Sequence, residues 1–134
     1  MPSPVRNAIN DIGDPLISPI RYKLWKTAGY PVPAPSFVKR RVIRDYARDY
    51  GLDVLVETGT YHADTVRGLR RDFRQIYSIE LDEHLFAQAV KRCKHQDNAV
   101  LLQGNSGERI SEVIAQLEGP ALFWLDAHYS AGET

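Results

Sequence analysis

A single cysteine, Cys93, occurs in the 134 residues of this chain. One thiol cannot close an internal disulfide and has no second cysteine for a metal knuckle, so a reducing, cytoplasmic setting is expected. Long apolar runs are missing as well. None approaches the roughly 18 residues that a membrane-spanning helix needs. The opening "MPSPVRNAINDIGDP" lacks the apolar segment of a signal peptide. Nor is there net charge: 17 Lys and Arg balance 17 Asp and Glu. What is present, 43% apolar and 25% charged residues, is the composition of one ordinary globular domain.

The zero balance hides an asymmetry. Residues 1–52 carry nine Lys and Arg against four Asp and Glu, whereas residues 53–134 carry eight against thirteen. A basic first half suits an acidic partner such as nucleic acid or a phosphorylated sugar. The blander reading, a solvated basic helix face, is preferred, and nucleic acid is not expected as a partner. In "DPLISPIRYKLWKTAGYPVPAPS" the prolines argue against long regular structure. Residues 1–35 are therefore read as an irregular arm. Its Leu16, Ile20, Leu24, Trp25 and Tyr30 would pack on another surface, such as a second copy of the chain.

Regular structure begins at "SFVKRRVIRDYARDYG", which reads as a helix over 36–50 with Ser36 as N-cap and Gly51 as the stop. Val38, Val42, Ile43, Tyr46, Ala47 and Tyr50 share one face at helical spacing, while Arg40, Arg44 and Arg48 share another. Beyond Gly51 four short apolar, β-prone runs follow: "DVLVE" (53–57), "QIYSIE" (75–80), "AVLLQ" (99–103) and "ALFWLD" (121–126). Between them lie helical patterns marked by Val66, Leu69 and Phe73, then Leu85, Phe86, Ala89, Val90 and Cys93, then Ile110, Val113, Ile114 and Leu117. Strand and helix alternating in this way predict βαβ units, a parallel sheet and a doubly wound α/β fold. Trp124, in an apolar run with no alternation, is expected in the core.

Ligands of such sheets bind outside the carboxyl ends of the strands. The residues to read are therefore "ETGTYHADT", "ELDE", "GNS" and "DAHYS". Glu57, Glu80 and Asp126 put an acid at three of the four strand ends. Gly59 allows a sharp turn and a close backbone approach to a ligand. Glu80, at the end of the second strand, is placed to accept both hydroxyls of a ribose, two donors for two carboxylate oxygens. Yet Tyr61 and Ala63 stand where G-x-G-x-x-G would need further glycines. Asp64 and Glu57 would also disfavour a pyrophosphate. A ligand with a ribose, a cationic end and no phosphate fits better, and S-adenosylmethionine has those properties.

Taken together, "VLVETGTYHADT", "YSIELDE", "LLQGNSGE" and "LFWLDAHYS" resemble the class I S-adenosylmethionine-dependent methyltransferases over residues 53–134. The resemblance implies a Rossmann-like sheet with strand order 3-2-1-4, formed by residues 36–134. It implies Glu57, Thr58, Gly59, Thr60 and Tyr61 beside the methionine part of the cofactor, and Glu80 on the ribose. Leu81 would lie on the adenine, with Asn105 and Ser106 at its edge. Asp126 and His128 would face the transferred methyl and a small-molecule or sugar hydroxyl acceptor. In metal-dependent members the acid after the fourth strand binds a divalent cation such as Mg2+, which makes Asp126 a metal candidate. Three departures qualify the resemblance. Tyr61 and Ala63 replace glycines, Asn105 replaces the more usual Asp, and the family fold has seven strands where four are read here, so a longer natural chain is expected. Two rivals remain: a non-catalytic module with a degenerate pocket, and a nucleotide-dependent oxidoreductase.

Overall fold

The structure, a computed structural model, describes residues 14–29 and 35–126. Strands β1 (Val54–Thr58), β2 (Gln75–Glu80), β3 (Ala99–Gln103) and β4 (Leu122–Leu125) form one parallel sheet in the order β3-β2-β1-β4. This is the expected order, with strand limits within one residue of the sequence reading. The helices are α1 (Asp14–Thr27), α2 (Ser36–Tyr50), α3 (Asp64–Gly68), α4 (Glu83–Arg92) and α5 (Ser106–Gln116).

Alternation along each strand feeds two apolar layers. Leu55 and Ile76 point to one side, against Ile43 and Ala47 of α2, Val66 of α3, Leu69, Phe73, Ala89 and Cys93. Val54, Val56, Tyr77 and Ile79 point to the other, against Val113 of α5. A parallel strand is apolar on both faces because helices cover both. Here three helices cover one face and, among the described residues, α5 alone covers the other. Leu122 and Trp124 of β4 pack on the first layer, whereas Phe123 and Leu125 are exposed. Among the described residues no helix is long and apolar enough to cross a membrane.

Three expectations fail locally. Ser36 is the first residue of α2 and not its cap; Pro35 takes the cap position, with no side-chain bond. Gly51 does end the helix, in the left-handed region at φ 63°. The stretch expected to be irregular contains α1, 14 residues long. Pro15 falls in its first turn, where a missing N–H costs nothing. Tyr22 of α1 stacks on Trp25 and lies under Arg41 of α2 at 4.3 Å. Ile20 and Leu24 stay exposed, and Tyr30 lies outside the described residues. Tyr46 and Tyr50, read on one face of α2 with Val38, Ile43 and Ala47, do not share their burial: they are exposed and stack on each other with ring centroids 6.1 Å apart.

Nor is the basic stripe of α2 a uniformly solvated face. Arg44 pairs with Asp72 and Arg48 with Asp49, but Arg40 is 1% exposed. Its side chain crosses α3 where that helix has no Cβ. A methyl at Gly68 would come 2.3 Å from Arg40 Cδ and 2.7 Å from Nε. Helix propensity alone favours Gly68→Ala. The buried guanidinium stem reverses the sign, and the substitution is expected to lower stability by about 1–3 kcal/mol, as overpacking does. Urea unfolding of the two proteins checks this; a Gly68→Ala protein as stable as the parent would mean that Arg40 swings aside freely.

Candidate functional site

All four strands deliver their carboxyl ends to one rim. Between β1 and α3 the chain turns at Gly59, where φ is 87° and the amide donates to the Ile79 carbonyl at 2.8 Å. The two positions where the sequence departs from the glycine pattern keep a glycine-like backbone: Tyr61 has φ 51° and Ala63 φ 64°. For L-residues that conformation costs roughly 1–2 kcal/mol each, so the surroundings must hold it. The Tyr61 amide donates to Glu80 Oε1 at 2.8 Å and the Ala63 amide to the Thr60 carbonyl at 2.9 Å. Arg92 of α4 donates to both the His62 carbonyl and the Asp64 carboxylate. The loop is thus fixed from β2 and from α4, and the ring of Tyr61 is left exposed against His62.

Glu80 is buried, but its lone pairs are not exhausted. Oε1 accepts from Tyr61 and Oε2 from the Asp82 amide at 3.0 Å, whereas a carboxylate offers about four acceptor positions. Capping of α4 falls to Asp82, whose side chain accepts from the Leu85 amide at 2.8 Å. Next to Glu80, Leu81 is 65% exposed, an apolar surface at the rim. Gln103 at the end of β3 donates to the Leu81 carbonyl at 2.8 Å and so fixes that surface. Asn105 caps α5, its side-chain oxygen accepting from the Gly107 amide at 2.8 Å, and Ser106 opens the helix. Tyr61 is thus tied to the Glu80 side chain and Leu81 to Gln103, while the Gly104 amide donates to the Glu80 carbonyl at 2.9 Å just before Asn105 and Ser106.

At the other end three candidates lie beneath the rim. Glu57, Thr58 and Thr60 are buried. Glu57 Oε2 accepts from Ser78 Oγ at 2.8 Å, and Ser78 is 2.6 Å from Thr60 Oγ1. Thr58 receives the Asp126 amide on its hydroxyl at 3.1 Å and on its carbonyl at 3.3 Å, locking the end of β4 to β1. His128 lies outside the described residues.

The residue the sequence reading missed is Lys39. It reaches from the first turns of α2 and places Nζ 3.0 Å from Glu57 Oε1 and 3.0 Å from Asp126 Oδ2, near the Trp124 ring. Burial works against its charge, but Glu57 and Asp126 more than offset that, and its pKa is raised above 10.5. Burial also pushes the Glu57 carboxyl up, with Lys39, Ser78 and Thr65 only partly holding it back. A signal for Lys39 did exist. A helix that precedes a strand and packs antiparallel to it starts near that strand's carboxyl end, where three acids lacked a cation. The run "VKRR" was read as solvated surface instead.

The described donor set does not fit a divalent cation at Asp126. Oδ2 already faces an ammonium, and among the described residues no group of three ligating side chains gathers. A shallow hollow lined by Arg44, Arg48, Gly51, Asp53 and Asp72 opens at the amino end of β1, away from the rim.

The sequence matches no protein-family model and no curated relative. Solved structures do match. The O-methyltransferase TomG of Streptomyces achromogenes, in complex with S-adenosylmethionine, aligns at a TM-score of 0.58 and 18% identity, over 72% of this chain and 47% of that one. An O-methyltransferase of Bacillus cereus in complex with S-adenosylhomocysteine aligns at 0.59 and 16%, over 94% and 61%. The chain thus spans about half to three-fifths of these structures. It has the Rossmann-like fold of the class I S-adenosylmethionine-dependent methyltransferases.

Proposed function

We propose that this chain is the cofactor-binding part of an S-adenosylmethionine-dependent methyltransferase that acts on a hydroxyl of a small molecule or sugar. The observation that carries the reading is Glu80. It is a buried carboxylate at the end of the second strand, with acceptor capacity left over and the exposed Leu81 beside it. The neighbours' names support the O-methyl part. Glu80 would take the ribose hydroxyls, Leu81 the adenine face, and Asn105 and Ser106 its edge. Gly59 and Tyr61 would line the amino-acid end over the floor of Glu57, Thr58 and Thr60. The residues fit such a cofactor, which when bound supplies an electrophilic methyl on a sulfonium. The chain's contribution is position and electrostatics.

Asp126, with His128, is proposed to face the acceptor and to receive its proton. The Lys39 ammonium on Oδ2 fixes the Asp126 carboxylate at the open edge of the rim, where an acceptor would enter. Asp126→Asn is expected to cut turnover while affinity for S-adenosylhomocysteine stays within a few fold. Loss of cofactor affinity would move Asp126 into the cofactor site. Calorimetry with S-adenosylhomocysteine and NAD in parallel tests the reading as a whole. Binding of the first alone is expected. Binding of NAD alone would favour the oxidoreductase, and binding of neither a non-catalytic module.

A further inference from the structure

Residues 15–44 hold seven Lys and Arg and no Asp or Glu. The four on α2 are occupied within the fold: Lys39 by Glu57 and Asp126, Arg40 by burial, Arg44 by Asp72, and Arg41 by Asp45 at 3.9 Å and the Tyr22 ring. The other three, Arg21, Lys23 and Lys26, are on α1, whose one acid is its first residue, Asp14. Helix α1 is moored to α2 from one side. Its half-buried Tyr22 receives Arg41, stacks on Trp25 and has Lys26 Nζ 4.6 Å from its ring centroid. Positions two apart lie roughly 200° around a helix axis, so Ile20 and Leu24 both point away from Tyr22. They are one turn apart and 65% and 63% exposed. Arg21 and Lys23 flank this apolar pair, each at roughly 60° from its nearer member.

We infer that α1 is a docking surface for an anionic phospholipid bilayer, on which it lies in the plane of the headgroups without crossing. An apolar stripe bordered by cations and aromatic rings suits that boundary, where aliphatic side chains enter the acyl edge and ammonium and guanidinium groups meet anionic headgroups. The stems of Lys23 and Lys26 can run along apolar surface while their charged ends stay in water. Other occupants match only half of the face. A nucleic acid would satisfy the cations and leave Ile20 and Leu24 wet. A second copy docked about a two-fold axis would set Arg21, Lys23 and Lys26 against the same three cations. A lipid surface answers both the apolar pair and the charge. With so few apolar residues the attachment is weak, reversible and dependent on anionic lipid. Arg41, which holds Tyr22, and Lys39 both fall in the first two turns of α2, so this surface lies at the rim end of that helix. The inference stands independently of the cofactor reading.

Co-sedimentation of the full chain with vesicles tests it. One set is phosphatidylcholine alone, and the other carries phosphatidylserine at roughly one lipid in three. The chain should partition at least about tenfold more strongly to the second set and lose that preference as added salt screens the charges. Ile20→Gln combined with Leu24→Gln should weaken binding to the second set at least about tenfold, and Lys23→Glu should weaken it several-fold. Both proteins should melt with the parent, because the replaced side chains are exposed. Should the double variant melt lower, Lys23→Glu decides alone, and parental binding by it overturns the inference. Equal binding of the parent to both vesicle sets, or binding to neither, overturns it as well. So does full retention of binding in the double variant, which would place the adhesion elsewhere on the chain. A parent that self-associates, or binds a duplex oligonucleotide, and takes up no vesicle gives the face to a second copy or to nucleic acid, and the lipid assignment falls.

Discussion

Glu80→Ala is expected to abolish measurable binding of S-adenosylhomocysteine and to loosen the loop that follows β1. Two charge-assisted hydrogen bonds to ribose hydroxyls are worth roughly 2–4 kcal/mol of affinity. The structure adds a second loss. Glu80 is the acceptor for the Tyr61 amide, and Tyr61 sits at φ 51°, a conformation that persists only while its surroundings enforce it. Without the carboxylate both the Tyr61 and Asp82 amides lose their partner, and Gly59 and Tyr61 no longer present a fixed surface. The sequence reading placed Glu80 on the ribose. The geometry makes it a loop anchor, and the proposed cofactor reading adds the ligand contact. Glu80→Gln separates the two roles in part, since one amide oxygen still accepts while an NH2 group opposes the other backbone donor. Calorimetry and thermal unfolding on both variants measure the effect. Unchanged affinity in Glu80→Ala would remove the ribose assignment, and unchanged melting would remove the anchoring role.

That double duty shows where sequence reasoning stops. The sheet was legible because its information is local: apolar runs of four to six residues, each followed by a helix-spaced pattern, leave one economical arrangement. The division of helices between faces followed from the strand order. The same reasoning was weaker wherever a residue's role depends on a partner far along the chain. Arg40 looked like one more exposed cation until Gly68, 28 positions later, provided room to bury it. Lys39 lies 18 positions from Glu57 and 87 from Asp126. No motif spans such distances, so the cation among the rim acids went unread. Tyr61 and Ala63 show the converse. The sequence flagged them as departures from glycine, yet the backbone keeps the left-handed path that glycine would take, held by Glu80, Thr60 and Arg92. Composition reported the departure; only the hydrogen bonds report how it is tolerated. The rim candidates divide along the same line. Glu80, Leu81, Asn105 and Asp126 stand where strand ends put them. Glu57, Thr58 and Thr60 belong to the floor, because β1 is an inner strand and their side chains are buried.

Glu57→Ala is expected to be the most destabilising single change at this rim, at about 3 kcal/mol near neutral pH. Lys39 would keep Asp126 but lose its buried counter-ion, and two further groups lose an acceptor, Ser78 and Thr65. Glu57→Gln should be much milder, because the amide fills the same space and can still accept from Ser78. The two variants also separate by pH. Burial raises the Glu57 carboxyl above its ordinary 4.5, so the folded protein holds this proton more tightly than the unfolded chain. The stability this contributes is complete below pH 4.5 and drains away as pH climbs through the raised folded value. Lys39 behaves as a base whose folded pKa lies above 10.5: its contribution holds below that pH and is lost only in more alkaline solution. Over the interval just above pH 4.5 the titrating member of the pair is therefore Glu57 alone. Thermal unfolding of the parent and Glu57→Gln should give curves that lie closest below pH 4.5, with the parent declining relative to the variant as pH rises. A constant difference across that interval would show that Glu57 titrates alike in both states, and that Lys39 and Ser78 compensate its burial in full. A parent that gains on the variant would reverse the sign, making the ion pair a net source of stability at neutral pH.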